Sequence, residues 1–273
     1  MTFRLPGPAW LFCPADRPDR FAKALAAADL LIVDLEDGVA PVARDAARQH
    51  LRTAELDWSR TVVRVSPPGT ADHDRDCEAL RATPCSTVMV AKAETPAALA
   101  ALSPWEVLAL CETPAGVLAA PALAAVPSVI GLMWGGEDLV AGLGGTSSRN
   151  VDGSYREVAR FARSQILLAA SAAGKWKLDA VHLAIEDAEG LEAEARDAAA
   201  SGFDGTVCIH PSQVEVVRRA YLPAPQDLAW AARVLEAAGS APGVFRFEGQ
   251  MVDGPVLRQA QELLDRAARY TSG

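Results

Sequence analysis

The 273-residue sequence is short of positive charge: 26 Lys and Arg stand against 35 Asp and Glu, a net charge of −9. Nucleic-acid-binding domains are usually basic overall, so no nucleic-acid partner is expected, although a local cluster of cations could still hold a small anion. No apolar run approaches the roughly 20 residues of a membrane-spanning helix. The opening stretch MTFRLPGPAWLFCPADR has too short an apolar segment for a secretory signal. A cytoplasmic protein with no membrane role is expected. Cysteines are few and unpaired in pattern: Cys13, Cys77, Cys85, Cys111 and Cys208 form no CxxC pair, which excludes a zinc-type spacing. Three lie in the apolar stretches WLFCP, LALCE and TVCIH, where a reduced thiol acts as a small hydrophobe. None has an adjacent His or cation to activate it.

A glycine-rich phosphate turn is missing too. The first apolar run leads into Pro14-Ala15-Asp16-Arg17, which disfavours a doubly wound dinucleotide-binding sheet. What is present is a recurring unit. Eight short apolar runs, at 9–13, 30–34, 61–65, 87–91, 107–111, 129–134, 178–183 and 205–209, have the length and continuous hydrophobicity of strands buried on both faces. Ala-, Leu-, Glu- and Arg-rich stretches such as 20–28, 42–53, 97–102, 155–173 and 191–201 separate them and read as helices. Eight strands alternating with helices predict a (β/α)8 TIM barrel over residues 1–220. A C-terminal helical appendage, 221–273, would hold a helix at 228–238, an extended piece at 244–252 and a last helix at 256–270.

Chemistry in such a barrel gathers at the C-terminal ends of the strands. At or just past those ends stand Asp16 and Arg17, then Asp34, Glu36 and Asp37, then Arg64, Lys92 and Glu94, Glu112, Glu137 and Asp138, and His210. Loops are wet, and that accounts for some of these charges. Several carboxylates without a Cys/His cluster point to a hard divalent cation, Mg2+ first, which takes one or two carboxylates, waters and substrate oxygens. Glu112 and Asp138, ending the fifth and sixth strands, are the natural pair of metal ligands.

Five ordered stretches also carry a resemblance: FCPADRPDRFAKA at 12–24, DLEDGV at 34–39, ETPAG at 112–116, GGEDL at 135–139 and IHPSQV at 209–214. Over essentially the whole chain they resemble the citrate lyase beta-subunit-like family, relatives of malyl-CoA and citramalyl-CoA lyases in the Mg2+-dependent aldolase group. The resemblance implies reversible C–C cleavage of a β-hydroxyacyl-CoA to an acyl-CoA and a keto acid, with one Mg2+ per subunit on Glu112 and Asp138. It implies that Arg64 contacts the reacting acyl oxygens and that Glu112, Gly136 and Glu137 line the substrate. Arg17 and Lys23 would bind the CoA phosphate, and Glu36 and Asp37 would support metal-bound waters. The chemistry needs such groups, since cleavage beside a thioester carbonyl leaves an enolate whose charge must be held by preorganised cations. Two departures from the family stand out: Ser66 where Asn is usual, and Asp16 where Ser is common.

Plainer readings compete. Arg17 and Lys23, six residues apart, also fit a solvated helix face. His210 fits a structural role beside the eighth strand, and His50, His73 and His182 carry no argument beyond surface or core. Lys92 would suit a Schiff-base aldolase, against which the acidic rim speaks. The Gly/Ser-rich stretch 142–154 fits a loop over the mouth of the barrel. Asp253 reads locally as a helix N-cap, yet MVDGP at 251–255 resembles the family's C-terminal motif, whose Asp is the acid/base in a neighbouring protomer's site. That implies a homo-oligomer, a trimer by resemblance. Two other functions remain open: the beta subunit of a multi-subunit citrate lyase acting on a carrier-protein thioester, and a non-catalytic binder of CoA or organic acids.

Overall fold

Runs of strand length that are apolar throughout suit strands covered on both faces, and that is the structure adopted. The structure, a computed structural model, describes residues 6–239 and 243–271. Eight parallel strands, β1 (Ala9–Pro14), β2 (Leu30–Asp34), β3 (Thr61–Val65), β4 (Thr87–Val90), β5 (Glu106–Cys111), β6 (Val129–Trp134), β7 (Trp176–Asp179) and β8 (Gly205–Cys208), pair in chain order. β8 returns to β1 with Trp10 opposite Val207, closing the barrel. Outside it lie α1 (Phe21–Ala27), α2 (Arg44–Thr53), α3 (Ala71–Arg81), α4 (Pro96–Ala100), α5 (Pro114–Ala124), α6 (Gly136–Gly142), α7 (Glu157–Ala172), α8 (Ala188–Ser201) and α9 (Pro211–Tyr221). The expected TIM barrel is therefore the fold. β7 stops at Asp179, short of residue 183, because its pairing with β6 and β8 ends at Leu178 and Asp179.

Alternate residues of each strand divide the core. Trp10, Leu30, Ile32, Val62, Met89, Leu108, Leu110, Met133, Leu178 and Val207 fill the barrel interior. Leu31, Val33, Val63, Val65, Ala109 and Cys111 face the helices. All five cysteines are free and buried. Burial pushes the thiols of Cys13, Cys77 and Cys85 up to about 11, which leaves them protonated and inert. Among the described residues no helix is long and apolar enough to cross a membrane.

The layer between α2 and α3 holds a buried ion cluster. Arg48 donates to Asp76 at 2.7 Å, to Asp72 at 2.7 Å and to Asp45 at 2.7 Å, while Asp76 also accepts from the Ser66 N–H at 2.9 Å. Asp76 is fully buried. Asp76→Ala strips a buried guanidinium of its innermost partner and should lower unfolding stability by about 3 kcal/mol, measured by urea denaturation. A loss below about 1 kcal/mol would mean that Asp72 and Asp45 hold Arg48 alone.

After α9 the chain forms α10 (Pro225–Ala238), a hairpin of β9 (Phe245–Phe247) and β10 (Gln250–Val252), and α11 (Gly254–Thr271). The hairpin replaces the single extended piece expected there. Its two-residue turn, Glu248-Gly249, has positive φ at both positions (47° and 85°), the conformation that matches strand twist. These elements share a small core of Ala231, Val234, Val252 and Ala260. The far end of α11 returns to the barrel, where Tyr270 donates to the Asp204 carbonyl and Arg266 to the Ala199 carbonyl, both at 2.8 Å.

Candidate active site

The two-residue repeat of the strands builds the mouth of the barrel. Phe12, Asp34, Arg64 and Glu112 each lie two residues beyond an interior-facing side chain (Trp10, Ile32, Val62 and Leu110) and so share its inward face. Arg64 forks onto Asp34 through two bonds of 2.6 Å and lies 4.6 Å from the Phe12 ring centroid. Its remaining nitrogen, Nη1, is 3.6 Å from Glu36. This guanidinium is fixed in position before any ligand arrives.

Lys92 stands at the centre. Its Nζ lies 2.5 Å from Glu36, 3.0 Å from Asp37, 3.5 Å from Asp138 and 3.9 Å from Glu112. Its backbone is left-handed (φ 49°), and its N–H donates to Glu112 Oε1 at 3.1 Å. A non-glycine residue keeps such a conformation when its surroundings dictate it. Burial first, and the Asp138 charge second, push the Glu112 carboxyl up to about 8, against the pull of Lys92 and Arg64. Burial likewise raises Glu36, opposed by Lys92.

Two oxygen-donor carboxylates close enough to repel each other fit a hard cation. Gly135 leaves room for one of them, since a Cβ there would lie 2.9 Å from Glu112 Oε2. Among the described residues no three His, Cys, Asp or Glu side chains form a ready cation cage. The site is thus an open pair, the arrangement Mg2+ accepts when water and substrate complete its shell. Glu112, Asp138 and Arg64 line one cavity of about 150 Å³ with Gly136, Glu137, Trp134 and Tyr155, walled on its apolar side by Leu110, Met133, Val181 and Leu183.

The other expected residues fall around this centre. Glu137 accepts from Ser148 at 2.5 Å, which pins the loop that follows α6. Lys23 lines a separate cavity of about 350 Å³ with Arg20, Phe12 and His210, between α1 and the end of β8. Arg17 is not in that wall; it forks onto Asp19 at 3.1 and 3.2 Å. His210 caps α9. Ser66 is buried, and it is its backbone that bonds α3: its N–H donates to Asp76 at 2.9 Å and its carbonyl bonds the His73 ring at 2.8 Å. Asp253 is not among the residues lining the cavity of Glu112 and Asp138: it precedes α11 and accepts from Val256 N–H at 3.4 Å. Sequence reasoning left Asp34 and Lys92 without their roles as clamp and central cation. It also missed the wall built by Arg149, which bonds Glu194 and Tyr155 and stacks 4.0 Å over the Tyr155 ring, with His182 bonding Glu194 at 2.9 Å.

A sequence profile of the HpcH/HpaI aldolase/citrate lyase family matches residues 9–211. The chain belongs to this family. Family members similar to it include a citrate lyase subunit beta-like protein of Mycobacterium tuberculosis, 60% identical with 100% of each chain covered. A (3S)-malyl-CoA thioesterase of Cereibacter sphaeroides is 33% identical over 94% of this chain and 93% of its own. The human mitochondrial citramalyl-CoA lyase is 29% identical over 96% of this chain and 86% of its own. Among solved structures, the protein CitE of M. tuberculosis in complex with magnesium, acetoacetate and coenzyme A superposes with a TM-score of 0.95 at 60% identity, covering 96% of this chain and 98% of that one.

Proposed function

We propose that this member of the family is a Mg2+-dependent carbon–carbon lyase that reversibly cleaves a short β-hydroxyacyl-CoA, of malyl-CoA, citramalyl-CoA or hydroxymethylglutaryl-CoA type, to an acyl-CoA and a keto acid. The observation that carries the reading is the convergence of Glu112, Asp138 and the clamped Arg64 on one cavity. Glu112 and Asp138 would hold one Mg2+ per subunit, which supplies Lewis-acid polarisation of the keto-acid oxygens. Arg64 has Nε and Nη2 committed to Asp34, so Nη1 is placed to donate to the thioester oxygen as enolate charge develops on it. Glu36 and Asp37, both tied to Lys92, orient water around the ligands. Gly136 gives the substrate close backbone approach, and Glu137 bounds it. Asp253, supplied by a neighbouring subunit of a homotrimer, is the acid/base that exchanges a proton with the acyl carbon. The magnesium, acetoacetate and coenzyme A bound by the similar CitE protein support the ligand set.

The deciding experiment incubates purified protein with a panel of hydroxyacyl-CoA thioesters and Mg2+ and identifies the products. Acyl-CoA plus keto acid supports the lyase. Free CoA plus a hydroxy acid would make it a thioesterase, cleavage only of a carrier-protein thioester a citrate lyase subunit, and binding without turnover a non-catalytic protein.

The CoA handle is tested separately. Lys23 borders the roughly 350 Å³ cavity and Arg17 is engaged with Asp19, so Lys23 is the stronger of the two proposed phosphate contacts. Lys23→Ala should raise KM for the CoA thioester by about tenfold or more, the worth of one charged hydrogen bond, and leave KM for the keto acid in the condensation direction unchanged. Equal effects on both substrates would make this helix face a solvated one.

A further inference from the structure

The geometry points to a task for Lys92 other than Schiff-base chemistry: we infer that its ammonium is a tethered cation that contests Glu112 and Asp138 with the divalent ion and sets how tightly that ion is held. The inference rests on the reading of Glu112 and Asp138 as the ion's ligands. A Schiff-base lysine must offer a free, neutral amine to a carbonyl carbon. Lys92 instead donates to Glu36 at 2.5 Å and Asp37 at 3.0 Å and keeps its charge among four carboxylates.

The four distances divide the carboxylates into two pairs. Glu36 and Asp37 are the near pair and anchor the ammonium. Asp138 and Glu112, at 3.5 and 3.9 Å, are the far pair, within reach of its attraction but without a short bond to it. The left-handed backbone at Lys92 and its N–H bond to Glu112 hold the side chain's root against the fifth strand, so the ammonium cannot retire far from the far pair. A cation accepted by Glu112 and Asp138 is repelled by this fixed charge in proportion to its own, so a divalent ion loses twice what a proton loses. The consequence is a site whose affinity for the bare ion is held down. A ligand that adds its own oxygens to the ion regains that loss, which couples retention of the ion to the presence of the keto acid.

Isothermal titration of the full-length protein with MgCl2 alone tests this. Lys92→Met should bind Mg2+ about tenfold more tightly than wild type, as expected for removing one nearby charge at partly screened distance. Lys92→Arg, which keeps the charge, should stay near wild type. Should Lys92→Met fail to fold, Lys92→Gln, which removes the same charge but keeps a polar end to bond Glu36 and Asp37, gives the same readout and should also tighten Mg2+ binding. A tighter Lys92→Met or Lys92→Gln beside an unchanged Lys92→Arg, which a merely structural lysine would not produce, supports the inference. Wild-type binding that neither variant moves in the stated direction overturns it alone. Absence of binding in wild type and Lys92→Met together overturns the ligand assignment and this inference with it.

Discussion

Glu112→Ala and Asp138→Ala proteins should each lose about a thousandfold or more of Mg2+-dependent cleavage while unfolding at a denaturant midpoint close to that of wild type. The size follows from what the pair is asked to supply: Lewis-acid stabilisation of several kcal/mol, where each 1.36 kcal/mol is tenfold in rate. The retained stability follows from the local electrostatics. Glu112 is almost wholly buried, and burial together with the Asp138 charge raises its carboxyl to about 8, so its charged form is disfavoured by the fold itself. Trimming it to Ala removes a repelled carboxylate rather than a packing element, and among the described residues the hydrogen bond it gives up is the one from Lys92 N–H. Asp138 is half-exposed, with 40% of its side chain accessible, and contributes less still to the core. The measurements are kcat/KM at saturating Mg2+ and urea unfolding on the same preparations. Wild-type turnover by either variant would remove that residue from the metal site; a large fall in midpoint would mean that it serves the fold.

The barrel could be read from the sequence because its strands are buried on both faces, which writes each as an unbroken apolar run such as Leu30-Leu31-Ile32-Val33. The same property hid the inward parity. In Thr61-Val62-Val63-Arg64-Val65 nothing but the charge of Arg64 distinguishes the face that lines the barrel from the face that meets the helices, and Val62 and Val63 belong to different cores. The rim charges could be named, since each follows a run, but their pairing could not. Asp34 and Arg64 are 30 residues apart and meet because β2 and β3 are neighbours in register. Lys92 and Glu36 are 56 apart and meet only when the barrel closes the rim into a ring. The Arg149, Tyr155, Glu194 and His182 wall left no spacing signal for the same reason: Arg149 and Glu194 are 45 residues apart. Local features fared differently. The N-cap read locally at Asp253 is there, its side chain accepting from the Val256 N–H three residues on.

Mixing inactive Asp253→Asn protein with inactive Glu112→Ala protein, under conditions that let subunits exchange, should restore activity that neither parent has. The expectation comes from where Asp253 lies. In its own chain it sits between the hairpin and α11, where its side chain accepts from Val256 N–H and its carbonyl from Leu257 N–H. Among the described residues none of its hydrogen bonds or ion pairs runs to Arg64, Glu112 or Asp138. A cap of this kind accounts for the residue without chemistry and contributes about 1 kcal/mol to α11. Yet the hairpin that presents it is not needed to close the barrel, and it shows Met251 to solvent at 66% exposure one residue before the buried Val252. In the proposed oligomer that side of the appendage would meet a second copy of the chain, whose mouth would receive the carboxylate. In a hybrid oligomer some interfaces join an intact Glu112–Asp138 pair to an intact Asp253, while others join two defects. In the proposed trimer, an equal mixture would therefore regain activity at only a fraction of its interfaces, and recovery should stay well below wild type. Mass spectrometry of differently tagged subunits establishes that exchange took place. Exchange without recovered cleavage would place the acid/base within the chain that binds the metal, or on a residue other than Asp253. Asp253→Asn alone separates the cap from the catalyst, since asparagine caps a helix about as well as aspartate but cannot take up a proton.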